Sequence, residues 1–316
     1  MTDRPAAHES PLVTFLRAGP APDRTRWEGW QQWRATRGTF VPAPRLSQSG
    51  YQALTPGHRA LHDLHRTATH VNMRLQETPM SAKVSQVAKV SQVMRGRLQN
   101  NAVKFTPGTR NGLMINGGGF QGKTETACDA AAAFEDLWRD IHRQLLPGRT
   151  PRTRDLFVPV AYCRLPVRAT PKALCKAILD VYGDPHPSTL DDMIRAVRDT
   201  IRDHGITALL IDDVTLRMHR QGYQDTLGLI RELTDLNVTL VLIGVDIPGS
   251  GLLHGAYADP AARQWVFPGI KRGHTCNDAA STQTSRRFDL VDLDPFDYAT
   301  TTGIAAFLEH LAGIEE

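Results

Sequence analysis

The sequence has little cysteine and no long apolar run. Its four cysteines (Cys128, Cys163, Cys175 and Cys276) lie far apart, and none forms a CxxC pair. That spacing excludes a zinc knuckle and a disulfide framework. No apolar stretch approaches the roughly 20 residues that span a bilayer. The opening MTDRPAAHES lacks the basic-then-apolar pattern of a secretory signal, so the cytoplasm is the expected compartment. Lysine is scarce as well: arginine outnumbers it 30 to 7. GC-rich coding alone can produce that bias, so phosphate recognition is not read from it. No Gly-x-Ser-x-Gly motif and no catalytic Cys/His pair stands out, which removes common hydrolase readings.

The 316 residues are 41% hydrophobic and 22% charged, which suits one large α/β domain with a smaller appendage. The net charge of +4 conceals a split. Residues 1–110 hold 16 Lys+Arg against 6 Asp+Glu, while residues 111–316 hold 21 against 27. A basic half beside an acidic half hints at a polyanion partner, with a solvated arginine-rich surface as the alternative.

Residues 1–25 are Pro-, Ala- and Arg-rich without a period and read as a disordered tail. Trp27, Trp30 and Trp33 recur every three residues, near one face of a helix. They are expected to fold back onto the main body, with an exposed partner surface as the other possibility. Leu54 to Met73 reads as a helix rich in His and Arg. Its histidines (His58, His62, His65, His70) have only Asp63 nearby, which argues against a metal site. Thr78-Pro79 signals another helix start. That helix carries an apolar stripe of Val84, Val87, Val90, Met94 and Leu98, with Lys83, Lys89, Arg95 and Arg97 around it. Its basic face could track a phosphate backbone or simply meet water.

From Asn111 strands alternate with helices. Strands are predicted at 112–115, 156–162, 207–211, 238–243 and 288–293, with Pro159 placing the second off the central ladder. Helices are predicted at 123–142, from Thr170-Pro171 to Tyr182, from Ser188 to His204, at 225–236 and at 298–311. Near-continuous apolar strands between helices imply a parallel sheet covered on both faces.

Gly117-Gly118-Gly119-Phe120-Gln121-Gly122-Lys123-Thr124 fits GxxxxGK[ST] without a mismatch, between a strand and a helix. Glycines let the backbone wrap a phosphate and turn several N–H groups inward. The helix N-terminus adds partial positive charge. Lys123 would reach the β- and γ-phosphates, and Thr124 would ligate Mg²⁺. Glu125, the next residue, is counted with the loop. A glycine-rich turn with a solvated lysine is the competing account. The second half of such a site is a buried strand ending in acid, and Ala208-Leu209-Leu210-Ile211-Asp212-Asp213 supplies it. The acids fall at the carboxyl edge of the sheet, where open α/β folds bind ligands. Asp212 would hold Mg²⁺ through water and Asp213 would polarise the attacking water. An acidic cap for the next helix is the alternative.

This combination resembles AAA+ ATPases of the TniB type, relatives of the TnsC and MuB transposition regulators. The resemblance runs from about Trp27 to Tyr298. It rests on Trp27-Glu28-Gly29-Trp30, on Gly112-Leu113-Met114-Ile115-Asn116-Gly117, and on Leu209 to Asp213. Ile243-Gly244-Val245-Asp246 and Arg287-Phe288 complete it. The expected fold is α/β, a P-loop NTPase (AAA+) with a three-layer parallel sheet core. A disordered tail (1–25) and a basic helical N-terminal region (26–105) would precede that core (106–316). The core would end in one helix, a short or truncated C-terminal lid.

The resemblance implies ATP and Mg²⁺ as cofactors and double-stranded DNA, bound without sequence specificity, as a partner. It further implies a homo-oligomer (ring or filament) and recruitment of a DDE transposase. Asp246 takes the position of a γ-phosphate sensor, and Arg287, beside Arg286, that of an arginine offered to a neighbour's nucleotide. Fixing the loop Pro248–Gly251 and anchoring a strand start are the structural alternatives for these two. Relatives carry Asp-Glu where this chain has Asp212-Asp213. The shorter carboxylate would sit about 1 Å from the ideal position, a displacement that can cost on the order of a hundredfold in rate. Slow hydrolysis is therefore expected. Relatives also continue into a fuller helical lid, so no second sensor residue is assigned. A signalling ATPase acting without DNA, in a defence or regulatory assembly, and a catalytically weak ATP-binding adaptor are the alternative functions.

Overall fold

The structure is a computed structural model. It describes residues 12–13, 16, 22–72, 82–106, 108–119, 121–145, 157–165, 170–214, 223–245, 247, 257–259, 264–266, 287–293, 298–305 and 307–308.

From Trp27 onward the chain is first helical: α1 (Trp27–Thr36), α2 (Gln48–Gln52), α3 (Pro56–Asn72) and α4 (Ala82–Ala102). The alternating part then runs β1 (Gly112–Gly117), α5 (Lys123–Leu145), β2 (Val160–Arg164), α6 (Pro171–Tyr182), α7 (Leu190–His204), β3 (Ala208–Asp212), α8 (Tyr223–Thr234) and β4 (Thr239–Gly244). A short antiparallel pair, β5 (Tyr257–Asp259) and β6 (Gln264–Val266), precedes β7 (Phe288–Leu293). Local signals set the boundaries. Thr170 and Thr189 cap α6 and α7 by accepting from the N–H groups of Ala173 and Asp192, and Pro171 opens α6. Both helices end on a glycine in the left-handed region, Gly183 (φ 70°) and Gly205 (φ 67°).

The main sheet has five parallel strands in the order β2-β3-β4-β1-β7. Helices cover both faces. On one face Met114, Leu209, Ile211, Leu240 and Leu242 meet Leu174 and Ile178 of α6, Val197 of α7 and Leu229 of α8. On the other, Leu113, Ile115, Leu210, Val241 and Ile243 meet Ala127, Ala131 and Phe134 of α5, Val90, Met94 and Leu98 of α4, and Trp30 of α1. Each such aliphatic side chain contributes roughly 1.5–3 kcal/mol through burial. The result is a three-layer α/β architecture with a glycine-rich loop leaving the carboxyl end of β1, the fold of a P-loop NTPase.

The second strand forms at Val160–Arg164 rather than 156–162. Pro159 has no N–H to donate, so the ladder starts after it, and its carbonyl accepts from the N–H groups of Thr207 and Ala208. β2 is an edge strand, as the proline suggests. The tryptophans do fold back, but they divide. Trp30 and Trp33 join the α5 layer, while Trp27 packs with the α6–α8 layer. Helix α1 therefore straddles the β2 edge. Arg26 pairs with Asp180 at the end of α6, and Arg34 and Arg37 pair with Asp136 of α5. On α4, Val90, Met94 and Leu98 are buried; the side chains of Lys83, Val84 and Val87 lie outside the described residues. At the far end, residues 301–305 are helical, and residues 309–316 lie outside the description.

Candidate functional site

The first half of the site is the loop between β1 and α5. Gly117 must be glycine, because a Cβ there would lie 2.4 Å from Gln121 Oε1 and 2.7 Å from the Leu293 carbonyl. Gly122 adopts φ 76°, the left-handed conformation that turns the chain into α5. Gly118, Gly119 and Gln121 complete the described loop, and Phe120 lies outside the described residues. Lys123 folds back so that its ammonium donates to the Gly118 carbonyl. Burial lowers its pKa from the ordinary lysine value, against the opposing pull of Asp212 and Asp213. A cation held in this way is partly desolvated and turned toward the loop's own backbone, where a phosphate would need it.

The second half is the end of β3. Asp212 is 4% exposed, and its carboxylate gathers the site together. Thr124 Oγ1 donates to Asp212 Oδ2 at 2.9 Å, and Tyr162 Oη donates to the same oxygen at 2.7 Å. The Asp213 N–H donates to Asp212 Oδ1 at 2.8 Å. Arg164 Nε in turn donates to Tyr162 Oη at 3.1 Å. Burial and the neighbouring Asp212 push the Tyr162 phenol well above its ordinary range, so it keeps its proton and stays a donor. Asp213 is exposed and has φ 58°, a backbone conformation that aspartate tolerates better than most residues. The exit of β3 is fixed by the Val214 N–H donating to the Ile243 carbonyl at 2.9 Å.

Lys123, Thr124, Asp212 and Asp213 thus converge at the carboxyl edge of the sheet. Thr124 Oγ1 and the Asp212 carboxylate form an all-oxygen donor set, which fits a hard cation such as Mg²⁺. Glu125 faces a different partner: Arg24 grips it bidentately at 2.6 and 3.0 Å. Asp246 and Arg286 lie outside the described residues. Arg287 is not brought to this loop. It sits at the amino end of β7, where its guanidinium donates to the Arg231 carbonyl (3.2 Å) and Thr234 Oγ1 (2.6 Å) at the end of α8. It also meets Asp235 at 3.2 Å.

Sequence reasoning did not single out Arg24, Asn116, Tyr162 or Arg164. Asn116 ties three strand ends together: its Nδ2 donates to Asp292 of β7, and its Oδ1 accepts from Ile247 beyond β4. A lone polar residue closing the apolar run Leu113-Met114-Ile115 was the available signal. Tyr162 had none, since its carboxylate partner is 50 residues away, and Arg164, two residues on along the same strand, gains its meaning only through Tyr162.

Neither a family model nor a curated protein matches the chain. Solved structures match weakly. The ORC2 protein of Aeropyrum pernix, in ADPNP–ADP complexes, aligns at 13% identity with a TM-score of 0.44, over 74% of this chain and 52% of that one. Drosophila ORC bound to GC-rich DNA and Cdc6 aligns at 12% identity and TM-score 0.31, over 71% and 66%. Drosophila ORC bound to DNA aligns at 13% and 0.29, over 68% and 98%. The chain spans about half the length of the ORC2 protein. Among the described residues, no helix is long and apolar enough to cross a membrane.

Proposed function

We propose that this chain is an AAA+ ATPase of the TniB type that binds ATP with Mg²⁺ in the cytoplasm. It assembles as a homo-oligomer on double-stranded DNA and recruits or regulates a DDE transposase. One observation carries the nucleotide part: Thr124 donates to Asp212 directly beside Lys123, at the carboxyl edge of a parallel sheet. The backbone N–H groups of Gly117 to Lys123 cradle the phosphates, and Lys123 releases the Gly118 carbonyl to meet them. Thr124 and Asp212 hold the cation, which neutralises charge on the β- and γ-phosphates when bound. Asp213 orients the attacking water. Arg287, at the opposite edge of the sheet from its own loop, is the group offered to a neighbouring protomer's nucleotide. Asp246 stands where the resemblance puts a phosphate sensor. The DNA and transposase parts rest on the sequence resemblance and on the basic residues 1–110.

A second reading, the weak ATP-binding adaptor, draws on Asp213. Its short carboxylate sits on a left-handed backbone and can leave the water poorly placed. Calorimetry with Mg²⁺ and ATP tests the site itself. Wild-type protein is expected to bind, and Lys123→Ala to lose at least a hundredfold in affinity, about 2.7 kcal/mol. Equal affinity in the two proteins would remove the assignment. Phosphate release with and without duplex DNA separates ATPase from adaptor.

A further inference from the structure

We infer that Tyr162 is a positioning residue for the cation site, and that the N-terminal segment from Arg24 to Trp33 is built into that site by holding Tyr162. The inference rests on the ATP–Mg²⁺ reading above and extends it to residues outside the phosphate loop and the acidic strand.

Hydrogen-bond counting is the starting point. A carboxylate offers about four lone-pair sites, two on each oxygen. On Asp212, Oδ2 accepts from both Thr124 and Tyr162, and Oδ1 accepts from the Asp213 N–H. Three sites are therefore filled by the chain, and the free one is on Oδ1. Thr124 has given its only hydroxyl proton to Asp212, so its oxygen presents lone pairs alone. Thr124 Oγ1 and the open site on Asp212 Oδ1 are then the oxygens that would hold a cation. Without the tyrosine proton, Oδ2 would regain a free lone pair and the carboxylate could turn. The direction of donation is also fixed. Arg164 can only donate, so Tyr162 accepts from it and passes its own proton toward Asp212.

The ring that carries this hydroxyl is held by the N-terminal segment. Trp30 stacks on Tyr162 with centroids 6.3 Å apart and planes 18° apart. The Arg24 guanidinium lies 5.6 Å from the Tyr162 centroid and 5.1 Å from that of Trp33. The same guanidinium chelates Glu125, the residue after Thr124. One arginine thus touches the first turn of α5 and the ring that fixes Asp212. Buried partners that orient a ligand typically change metal affinity by about 10- to 100-fold when removed.

The test is a Mg²⁺ titration of a fluorescent ATP analogue bound to the full chain. It reads the Mg²⁺ concentration at half-maximal binding, and separately the analogue's affinity in excess EDTA. Tyr162→Phe is expected to raise the Mg²⁺ midpoint about 10-fold or more, with the EDTA affinity unchanged. Arg24→Ala, which keeps the hydroxyl, is expected to move the midpoint the same way by roughly threefold, the size of one cation–π contact. A folded Tyr162→Phe with the wild-type midpoint overturns the inference and leaves the ATP reading standing. If wild-type protein shows no Mg²⁺-dependent binding at all, both fall together. Should Tyr162→Phe not fold, Arg24→Ala decides alone, and a wild-type midpoint there overturns the inference.

Discussion

Asp213 shows how a single backbone angle can choose a side chain. Its φ of 58° lies in the left-handed region, which costs most L-residues roughly 1–2 kcal/mol and which Asp and Asn visit more readily. Under the proposed function, glutamate would be the usual acid here. The conformation gives a physical reason for the shorter acid: at this angle aspartate is the cheaper carboxylate. Two opposed effects should then appear in Asp213→Glu. If Asp213 orients the attacking water as proposed, the longer side chain can recover about 1 Å of reach toward it, so hydrolysis is expected to rise, by up to on the order of a hundredfold. The left-handed backbone now bears a less tolerant residue, so stability is expected to fall by roughly 1–2 kcal/mol. Steady-state phosphate release and thermal melting of the same preparation check the pair. A faster enzyme with an unchanged melt would refute the backbone explanation. A destabilised enzyme with unchanged turnover would show that reach is not what limits Asp213.

Helix α1 is the element on which sequence and structure differ most usefully. Its three-residue tryptophan spacing was legible, and so was its burial. That it straddles a sheet edge was not, because periodicity reports a face and not what the face meets. Gly29 shows the constraint. A Cβ at Gly29 would lie 2.0 Å from the Asp23 carbonyl oxygen, so the turn at residues 23–25 presses directly on the helix. Gly29→Ala must push that turn away and is expected to cost about 1–3 kcal/mol, the usual range for overpacking. Gly96, in the middle of α4, is the control, since a Cβ there would meet nothing within 4 Å. Gly96→Ala is expected to stabilise by about 0.5–1 kcal/mol through helix propensity alone. Urea denaturation of both variants distinguishes contact from propensity, and equal shifts in one direction would contradict the packing account. The phosphate loop and the acidic strand were legible for the opposite reason: each is a contiguous run whose chemistry is local. Tyr162 to Asp212, Arg24 to Glu125 and Trp30 to Glu135 join residues 50, 101 and 105 apart, and no local pattern encodes such pairs. In α3 the histidines have an architectural use that spacing did not disclose. The rings of His62 and His65 bond the carbonyls of Pro44 and Val41, fastening the loop that leads from α1.

At the scale of the whole molecule, the two ends of the sheet carry different equipment. The carboxyl edge holds Lys123, Thr124, Asp212 and Asp213, and the amino edge holds Arg287, which anchors α8. A protomer that used Arg287 on nucleotide could reach only a neighbour's, which makes assembly and nucleotide binding one equilibrium under the proposed function. Charge is divided along the chain in the same uneven manner, with the basic excess in residues 1–110. Not every cation there is available to a phosphate backbone. Arg97 pairs with Asp289, and Arg34 and Arg37 pair with Asp136. Arg66 on α3 and Lys89 on α4 are exposed, which makes them better candidates for phosphate contacts. Under the proposed function, duplex DNA retention with ATP is expected to fall steeply with salt. The slope of log affinity against log salt is about −0.9 per phosphate neutralised. Arg66→Glu with Lys89→Glu is expected to flatten that slope by about 2 units, while ATP affinity measured without DNA stays the same. Electron microscopy with a non-hydrolysable analogue and duplex DNA reads the assembly directly. Rings or filaments that vanish in the double variant would link the basic helices to the oligomer. Lone wild-type protomers under those conditions would remove the DNA-assembly part of the proposal and leave an ATP-binding switch.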